Sequence, residues 1–376
     1  MQRPAFTIGI EEEYLLVDPE TRNLVLDPGE AVWAACREVL GHQVSPEFLK
    51  AQIEVGTTIC TTVAEARRDL ATLRAGLVRV AEEHGMRLIA ASTHPFADWA
   101  SQQVTERERY LMLAKDLQVV VRRLVICGMH VHVGIEDQEL RIDLMNQVTY
   151  FLPHLLALST SSPFWHGIES GLKSYRLSVF RSLPRTGIPE QFFSWAEYRR
   201  HVDTLIEPGL IEDASKLWWD VRPSNRYPTL ELRISDVCTR IDDGMVVAAL
   251  FQSLLATLFR RRTLNQRWRH YSPMLIAENV WRAQRYGTEG SLMDFGKGRL
   301  VPFSDLVEEL IELVSEDAAE LGCLAEVQRA REVVVTGTSA DRQVATYRAA
   351  IAAGAGEQEA LAAVVDELIA DTATGL

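Results

Sequence analysis

Three short stretches of the chain alternate apolar and polar residues with a period of two, the pattern of strands with one buried and one chemical face. In Cys127-Gly128-Met129-His130-Val131-His132-Val133-Gly134-Ile135, a strand puts His130 and His132 on one side and Met129, Val131 and Val133 on the other. Ile10-Glu11-Glu12-Glu13-Tyr14 repeats the device with Glu11 and Glu13, and Leu230-Glu231-Leu232-Arg233-Ile234 repeats it with Glu231 and Arg233. If these strands share a sheet, its polar face gathers carboxylates, imidazoles and a guanidinium, the donor set of a metal and phosphate site.

Bulk properties narrow the partners. With 376 residues, 47% of them hydrophobic, the chain can bury a large core. A net charge of −13 argues against a nucleic-acid or anionic-membrane surface and for a small-molecule substrate. The five cysteines are scattered, with no Cys-x-x-Cys pair, so they read as free thiols rather than as disulfides or a thiolate zinc site. Residues 1–6 lack a secretory pattern, and the most apolar run, 245–259, is short of the ~20 residues that span a bilayer. The expectation is a cytoplasmic protein with no membrane partner.

Along the chain, residues 6–17 and 24–26 read as a hairpin across the turn 18–23. Residues 30–40 read as a helix, 44–60 as two extended pieces with Glu54 in the second, and 63–80 as a helix with apolar residues at helical spacing. A strand at 86–91 ends in the loop Ser92-Thr93-His94-Pro95-Phe96, because proline excludes helix at the residue before it. Helices are expected over 106–123 and over 140–158, the latter interrupted by Pro153. Residues 159–189, rich in Ser, Gly and Pro and carrying Lys173, Arg176, Arg181 and Arg185, read as a long functional loop. Then come a helix at 195–205, an extended piece at 217–223, and a helix at 242–259 capped by Asp242 or Asp243 and closed by Arg260, Arg261 and Arg262. Helices at 273–286, 303–321 and 344–370 complete a single α+β domain over 1–376, with sheet and active site in about 5–240 and a mainly helical remainder in 241–376.

Each chemical pair has a bland reading beside the functional one. Glu11 and Glu13, two apart on a strand, suit neighbouring hard cations, or are simply a solvated face; Glu12, on the other side, is a surface residue or the partner of a buried base. His130 and His132 could hold zinc or be structural, but no His-Glu-x-x-His motif accompanies them, and the surplus of carboxylates favours Mg²⁺ or Mn²⁺. Glu231 and Arg233 are either a cross-strand ion pair, or a metal ligand beside a guanidinium that neutralises phosphate. No P-loop is present, and Phe295-Gly296-Lys297-Gly298-Arg299 is too short a match to count, so a nucleotide would be held through metals and basic side chains.

The order Glu-x-Glu, isolated strand Glu, Gly-x-His-x-His, Glu-x-Arg resembles the glutamine synthetase and glutamate-cysteine ligase superfamily. Thr93-His94-Pro95-Phe96, Trp219-Asp220-Val221-Arg222-Pro223-Ser224 and Thr229-Leu230-Glu231-Leu232-Arg233 are similar to the bacterial type 2 glutamate-cysteine ligases, the YbdK-type carboxylate-amine ligases, from Thr7 to about Arg342. The resemblance implies a curved antiparallel sheet of glutamine synthetase catalytic-domain type, flanked by helices, around two or three Mg²⁺ ions. By its motifs Glu11, His130 and Glu231 would hold one metal, Glu13 and Glu54 another, and Glu47 would be a further acidic ligand. Arg233 would meet the γ-phosphate of ATP with His132 nearby; Arg176 and Arg222, and Arg181 in a looser stretch, would bind substrate carboxylate or phosphate.

The implied reaction is two-step ligation through an acyl phosphate, with L-glutamate (through its γ-carboxylate) and L-cysteine as default substrates and residues 159–189 as a lid that excludes water. A homodimer is compatible with the family. Two alternatives remain open at this point: a guanidino-kinase-like phosphotransferase on the same type of sheet, and a nucleotide- or amino-acid-binding regulatory protein with little turnover.

Overall fold

The computed structural model describes residues 2–376, the side chains of Arg109 and Leu113 excepted. The alternating stretches do share one sheet. Its strands are β1 (Ile8–Val17), β2 (Val44–Pro46), β3 (Gln52–Gly56), β4 (Arg87–Ile89), β5 (Met129–Gly134), β6 (Val221–Pro223) and β7 (Thr229–Leu232). They run antiparallel in the order β6-β7-β5-β1-β3-β2, with β4 paired to the last residues of β1.

The central strand β1 explains the two faces. Its pleat sends Ile8, Ile10, Glu12 and Tyr14 into the core, each at most 1% exposed, and leaves Glu11 and Glu13 on the other side. Behind the sheet lie helices α1 (Val63–Glu83) and α2 (Ile241–Thr263). The buried positions of α1 include Val63, Ala66, Leu70, Leu73, Leu77 and Val80, as the spacing predicts. Its start is fixed by Thr62, whose side chain accepts from Glu65 N, while Glu65 Oε2 accepts from Thr61 N.

Glu12 proves to be the partner of a buried base. Arg74, from α1, sets Nε 2.7 Å and Nη2 2.8 Å from its two carboxylate oxygens, and the Tyr14 hydroxyl donates to the same carboxylate. Arg74 also donates to the carbonyls of Cys238 and Thr239 at 2.8 and 2.7 Å. This wholly buried triad ties β1 to the chain that enters α2, so the strand bearing Glu11 and Glu13 cannot slip without stranding a charge.

α2 is, among the described residues, the one helix long and apolar enough to cross a membrane, longer than the apolar run 245–259 suggests. It is buried along most of its length, between the sheet and the helices that follow it. Asp242 and Asp243 do not cap it. Arg240 is the N-cap residue, and the two aspartates in the first turn pair instead with Arg67, Arg329 and Arg342. All five cysteines are free and buried.

Other elements differ from the sequence pattern for identifiable reasons. The expected hairpin shrinks to one bridge between Val17 and Leu24, because β3 occupies that edge of β1 as far as Leu15 and Ala51 takes Leu16 N. The 106–123 helix is two, Glu108–Leu117 and Val119–Arg122, broken where Gln118 turns to φ 51°. The 140–158 helix divides at a 3₁₀ turn, Thr149–Phe151, and Pro153 sits in the first turn of the second piece, where it lacks no partner. The last helix is a pair, Ser339–Ala352 and Glu357–Thr372.

The largest correction concerns residues 159–189, which are not a lid. Ser159 to Phe164, Ser174 and Arg176 are buried, and the segment carries a small hairpin, Phe164–Trp165 with Ile168–Glu169, and the helix Arg176–Phe180. Its anchor is the buried Asp236, which accepts from Ser161 N at 2.9 Å, Ser162 Oγ at 2.7 Å and Ser174 Oγ at 2.8 Å. The serines that suggest mobility in the sequence are donors to one carboxylate.

Candidate active site

The register of the sheet assembles the site. Directly opposed across neighbouring strands are Glu11 and His130, Glu13 and Glu54, Glu231 and His132, and Arg222 and Glu231. They face a cavity of about 820 Å³, whose walls also include Glu47, Arg176 and Arg233. Ten of the eleven residues expected from the motifs (Glu11, Glu13, Glu47, Glu54, His130, His132, Arg176, Arg222, Glu231 and Arg233) line it; Arg181 does not, because its guanidinium is held 2.7 Å from the buried carboxylate of Asp220.

At one end of the cavity three carboxylates converge. Glu13, Glu47 and Glu54 can bring one oxygen each within 4.8 Å of one another. Burial, and then the neighbouring Glu47, push Glu13 up to about 7; burial and the charges of Glu47, Glu11 and Glu13 push Glu54 well above the usual carboxylate range. Two backbone donors and one hydroxyl hold the three carboxylates in place: Gly128 N donates to Glu13 Oε2 at 2.7 Å, Phe48 N to Glu47 Oε2 at 2.9 Å, and Ser45 Oγ to Glu54 Oε1 at 3.3 Å. Half-buried carboxylates gathered this closely are the donor chemistry of a hard divalent cation.

In the middle, Glu11 meets both imidazoles, at 3.3 Å from His130 Nδ1 and 3.6 Å from His132 Nε2. Burial alone would raise Glu11, but the two histidines outweigh it and hold it well below the usual range. Burial and the charge of Arg233 bring His130 down to about 4, so it is neutral and able to act as a ligand. His132 is the reverse case: burial opposes its charge, yet Glu11 and Glu231 raise it. The Thr229 hydroxyl lies 2.9 Å from its Nδ1.

At the other end is a guanidinium clamp. Arg222 grips Glu231 with Nε at 2.9 Å and Nη2 at 3.1 Å, and Arg233 Nη1 joins at Oε1. Burial works against the Glu231 charge, but Arg233 and Arg222 hold its carboxyl far below the usual range. The ion pair of the bland reading is thus present in the geometry. Arg176, 2% exposed, donates to the carbonyls of Ile234 and Arg233 at 3.2 Å each. A Cβ on Gly128 would fall 2.4 Å from Arg176 Nη2, so glycine is what lets this guanidinium lie against the strand.

Some wall residues escape sequence reasoning: Arg107, Tyr110, Lys216 and the turn residues Asn225, Arg226 and Tyr227. Only the turn had a signal, its polar composition just before the Glu231 strand. Conversely, the Thr93-His94-Pro95-Phe96 motif is structural. His94 Nδ1 accepts from Phe96 N and Ala97 N, its Nε2 meets the Arg22 carbonyl, and Thr93 Oγ1 donates to the Phe164 carbonyl.

The same fold occurs in a glutamate–cysteine ligase from Francisella tularensis, solved in complex with AMP, with a TM-score of 0.69 at 14% identity over 98% of this chain and 89% of that one. It occurs also in a bifunctional glutathione synthetase from Pasteurella multocida, with a TM-score of 0.71 at 15% identity over 97% of this chain and 52% of that one. The architecture is that of the glutamate–cysteine ligase fold class. In sequence the chain is 60% identical over 380 residues to a protein of Rhodospirillum rubrum provisionally named glutamate–cysteine ligase 2, covering 100% of this chain and 98% of the relative. A protein of the same provisional name from Jannaschia sp. is 54% identical over 366 residues, 97% of this chain and 96% of the relative. The profile of glutamate–cysteine ligase family 2 matches residues 7–367. The chain belongs to that family and is an ATP-dependent carbon–nitrogen ligase.

Proposed function

We propose that this enzyme joins an amino-acid carboxylate to an amine through an acyl phosphate, with the γ-carboxylate of L-glutamate and the amine of L-cysteine as default substrates. The observation that carries the reading is that one cavity combines three converging carboxylates, Glu13, Glu47 and Glu54, with the guanidinium groups of Arg176, Arg222 and Arg233. ATP brings to such a cavity a charge that needs cations, and the acid substrate brings a carboxylate that needs guanidinium groups.

The residues fit Mg²⁺. Glu13, Glu47 and Glu54 would hold one ion, which relieves the repulsion that raises Glu13 and Glu54. Glu231 Oε2 accepts only from Arg222 Nε among the described residues, so it retains a lone pair for a second ion shared with Glu11 and His130. Bound Mg²⁺ would neutralise phosphate charge and polarise the γ-phosphoryl group.

The protein's own groups then divide the work. Arg233, its charge reinforced by Glu231, faces the transferring phosphoryl group, with His132 beside it. Arg176 and Arg222 orient the acid. A carboxylate oxygen attacks the γ-phosphorus and the bond to ADP breaks; the amine then attacks the acyl carbon, phosphate leaves with the bonding pair, and the nitrogen loses a proton. Water exclusion falls to the fixed walls of the cavity, not to a closing 159–189 loop. A cytoplasmic setting, with ATP and reduced thiols at hand, suits the five free cysteines.

The test is phosphate release from ATP and Mg²⁺ with a panel of amino acids, singly and in pairs. Release that requires an acid and an amine together, with a product of the condensed mass, supports ligation. A phosphorylated acceptor, or nucleotide binding without turnover on the whole panel, contradicts it.

A further inference from the structure

We propose that the pocket behind the turn 224–227 is a second ligand site, which takes a small oxyanion of the phosphate or carboxylate class and signals its occupancy to the catalytic cavity through that turn. The pocket holds about 230 Å³ and is lined by Arg141, Arg199, Tyr198, Trp195 and Gln138 together with residues 224–228, with no carboxylate among its lining.

Two largely buried side chains in its wall each present a polar atom with no hydrogen-bond partner among the described residues. Arg141 is 5% exposed; its Nε donates to the Ile135 carbonyl at 2.9 Å and its Nη2 to the Glu136 carbonyl at 3.3 Å. Its Nη1 has no hydrogen-bond partner among the described residues, and Trp195 lies 5.4 Å from its guanidinium carbon, covering it without accepting from it. Tyr198 is 3% exposed; its hydroxyl makes no hydrogen bond among the described residues, and its nearest charged neighbours include Arg222, Arg199 and Arg141. Both atoms open onto the same pocket, so whatever fills it must satisfy both. The occupant must accept hydrogen bonds and welcome positive charge.

Charge points the same way. Burial works against the Arg141 charge; Tyr198, Asp137 and Glu136 favour it from nearby, but neither carboxylate forms an ion pair with it or lines the pocket. Arg199 is paired with Asp203 at 2.7 Å, which leaves Arg141 and Arg226 as the cations without a carboxylate partner.

The turn links the two cavities. Ser224, Asn225, Arg226 and Tyr227 line both. Ser224 Oγ accepts from Arg226 N at 3.3 Å and Tyr227 N at 3.2 Å, the Arg226 guanidinium lies 5.1 Å from the Tyr227 ring centre, and that ring stands edge-on to His132 at 6.1 Å. An anion that draws Arg226 into the pocket removes the cation from Tyr227, and Tyr227 is the ring that touches His132.

The experiment titrates the full chain with inorganic phosphate and with acetate by calorimetry, in the wild type and in Tyr198→Phe, Arg141→Lys and Arg233→Gln. Phosphate or acetate should still bind Arg233→Gln, and should bind about tenfold more weakly to Tyr198→Phe and Arg141→Lys, with basal kcat retained in the isosteric Tyr198→Phe. The tighter of the two anions identifies the class. Binding of neither anion overturns the proposal, as does loss of binding in Arg233→Gln with none in Tyr198→Phe, which would put the anion in the catalytic cavity. Displacement of phosphate by AMP, with a raised KM for ATP in Tyr198→Phe, also overturns it, since the pocket would then be an arm of the nucleotide site. None of these binding readouts depends on the amide chemistry.

Discussion

Replacing Glu13 by Gln should make the metal-free protein more stable, and only above a definite pH. Glu13 is raised from 4.5 to about 7 by burial and by Glu47. Between those values the folded protein holds a proton that the unfolded chain has released, so folding loses stability as pH rises through this window. A span of about 2.5 units at ~1.36 kcal/mol each gives roughly 3 kcal/mol, all of it lost by pH values above 7. The wild-type curve alone cannot display this. His94, His130 and His154 are brought down to about 4 by burial, so from about 4 to 6.5 the unfolded chain binds more protons and those three groups add stability as pH rises. The difference between mutant and wild type isolates Glu13. In urea unfolding with a chelator present, that difference should be near zero at pH 4.5 and approach 3 kcal/mol in the mutant's favour above pH 7. Saturating Mg²⁺ should reverse the order, because only the wild type keeps all three carboxylates for the ion. A difference that does not vary with pH, or a mutant that is the less stable at pH 8 in chelator, would refute the reasoning.

The remaining predictions concern single contacts. Glu231→Gln should cost about 3 kcal/mol, since it strands two buried guanidinium groups, and should lower kcat at least a hundredfold; near-normal turnover contradicts the assignment. Gly128→Ala should push Arg176 from its seat and raise KM for the acid more than tenfold, with a modest stability loss of about 1–3 kcal/mol measured by urea unfolding. Arg74→Met should cost about 3–5 kcal/mol by leaving Glu12 buried and unpaired, and urea unfolding would show it. Amide exchange in residues 161–176 should be slow and unchanged by nucleotide, because Asp236 pins that segment; fast exchange that slows on binding would restore the lid.

How much of this was readable in the residues varies by the range of the interaction. Period-two alternation exposed Glu11, Glu13, His130, His132, Glu231 and Arg233, because a strand's two faces are a local property. Pairing order is not local, yet the motifs' resemblance to a known family brought Glu47 and Glu54 to the same cavity. What failed involved partners far apart in sequence. Nothing near Ser161, Ser162 and Ser174 announces that Asp236 gathers them, so a serine-rich segment looked mobile. Arg181 looked like its neighbour Arg176, and only the fold sends it to Asp220. Asp242 and Asp243 had the chemistry of caps, but the chain turns into the helix one residue earlier, and Arg67, Arg329 and Arg342 claim them.

The most direct test follows oxygen. Incubated with ATP, Mg²⁺, an amine and glutamate carrying ¹⁸O in its γ-carboxylate, the enzyme should release phosphate with one ¹⁸O atom for each amide formed, because the acid's oxygen leaves on phosphorus. Amide formation with unlabelled phosphate would contradict an acyl phosphate, and with it the roles given to the carboxylates and guanidinium groups of the cavity.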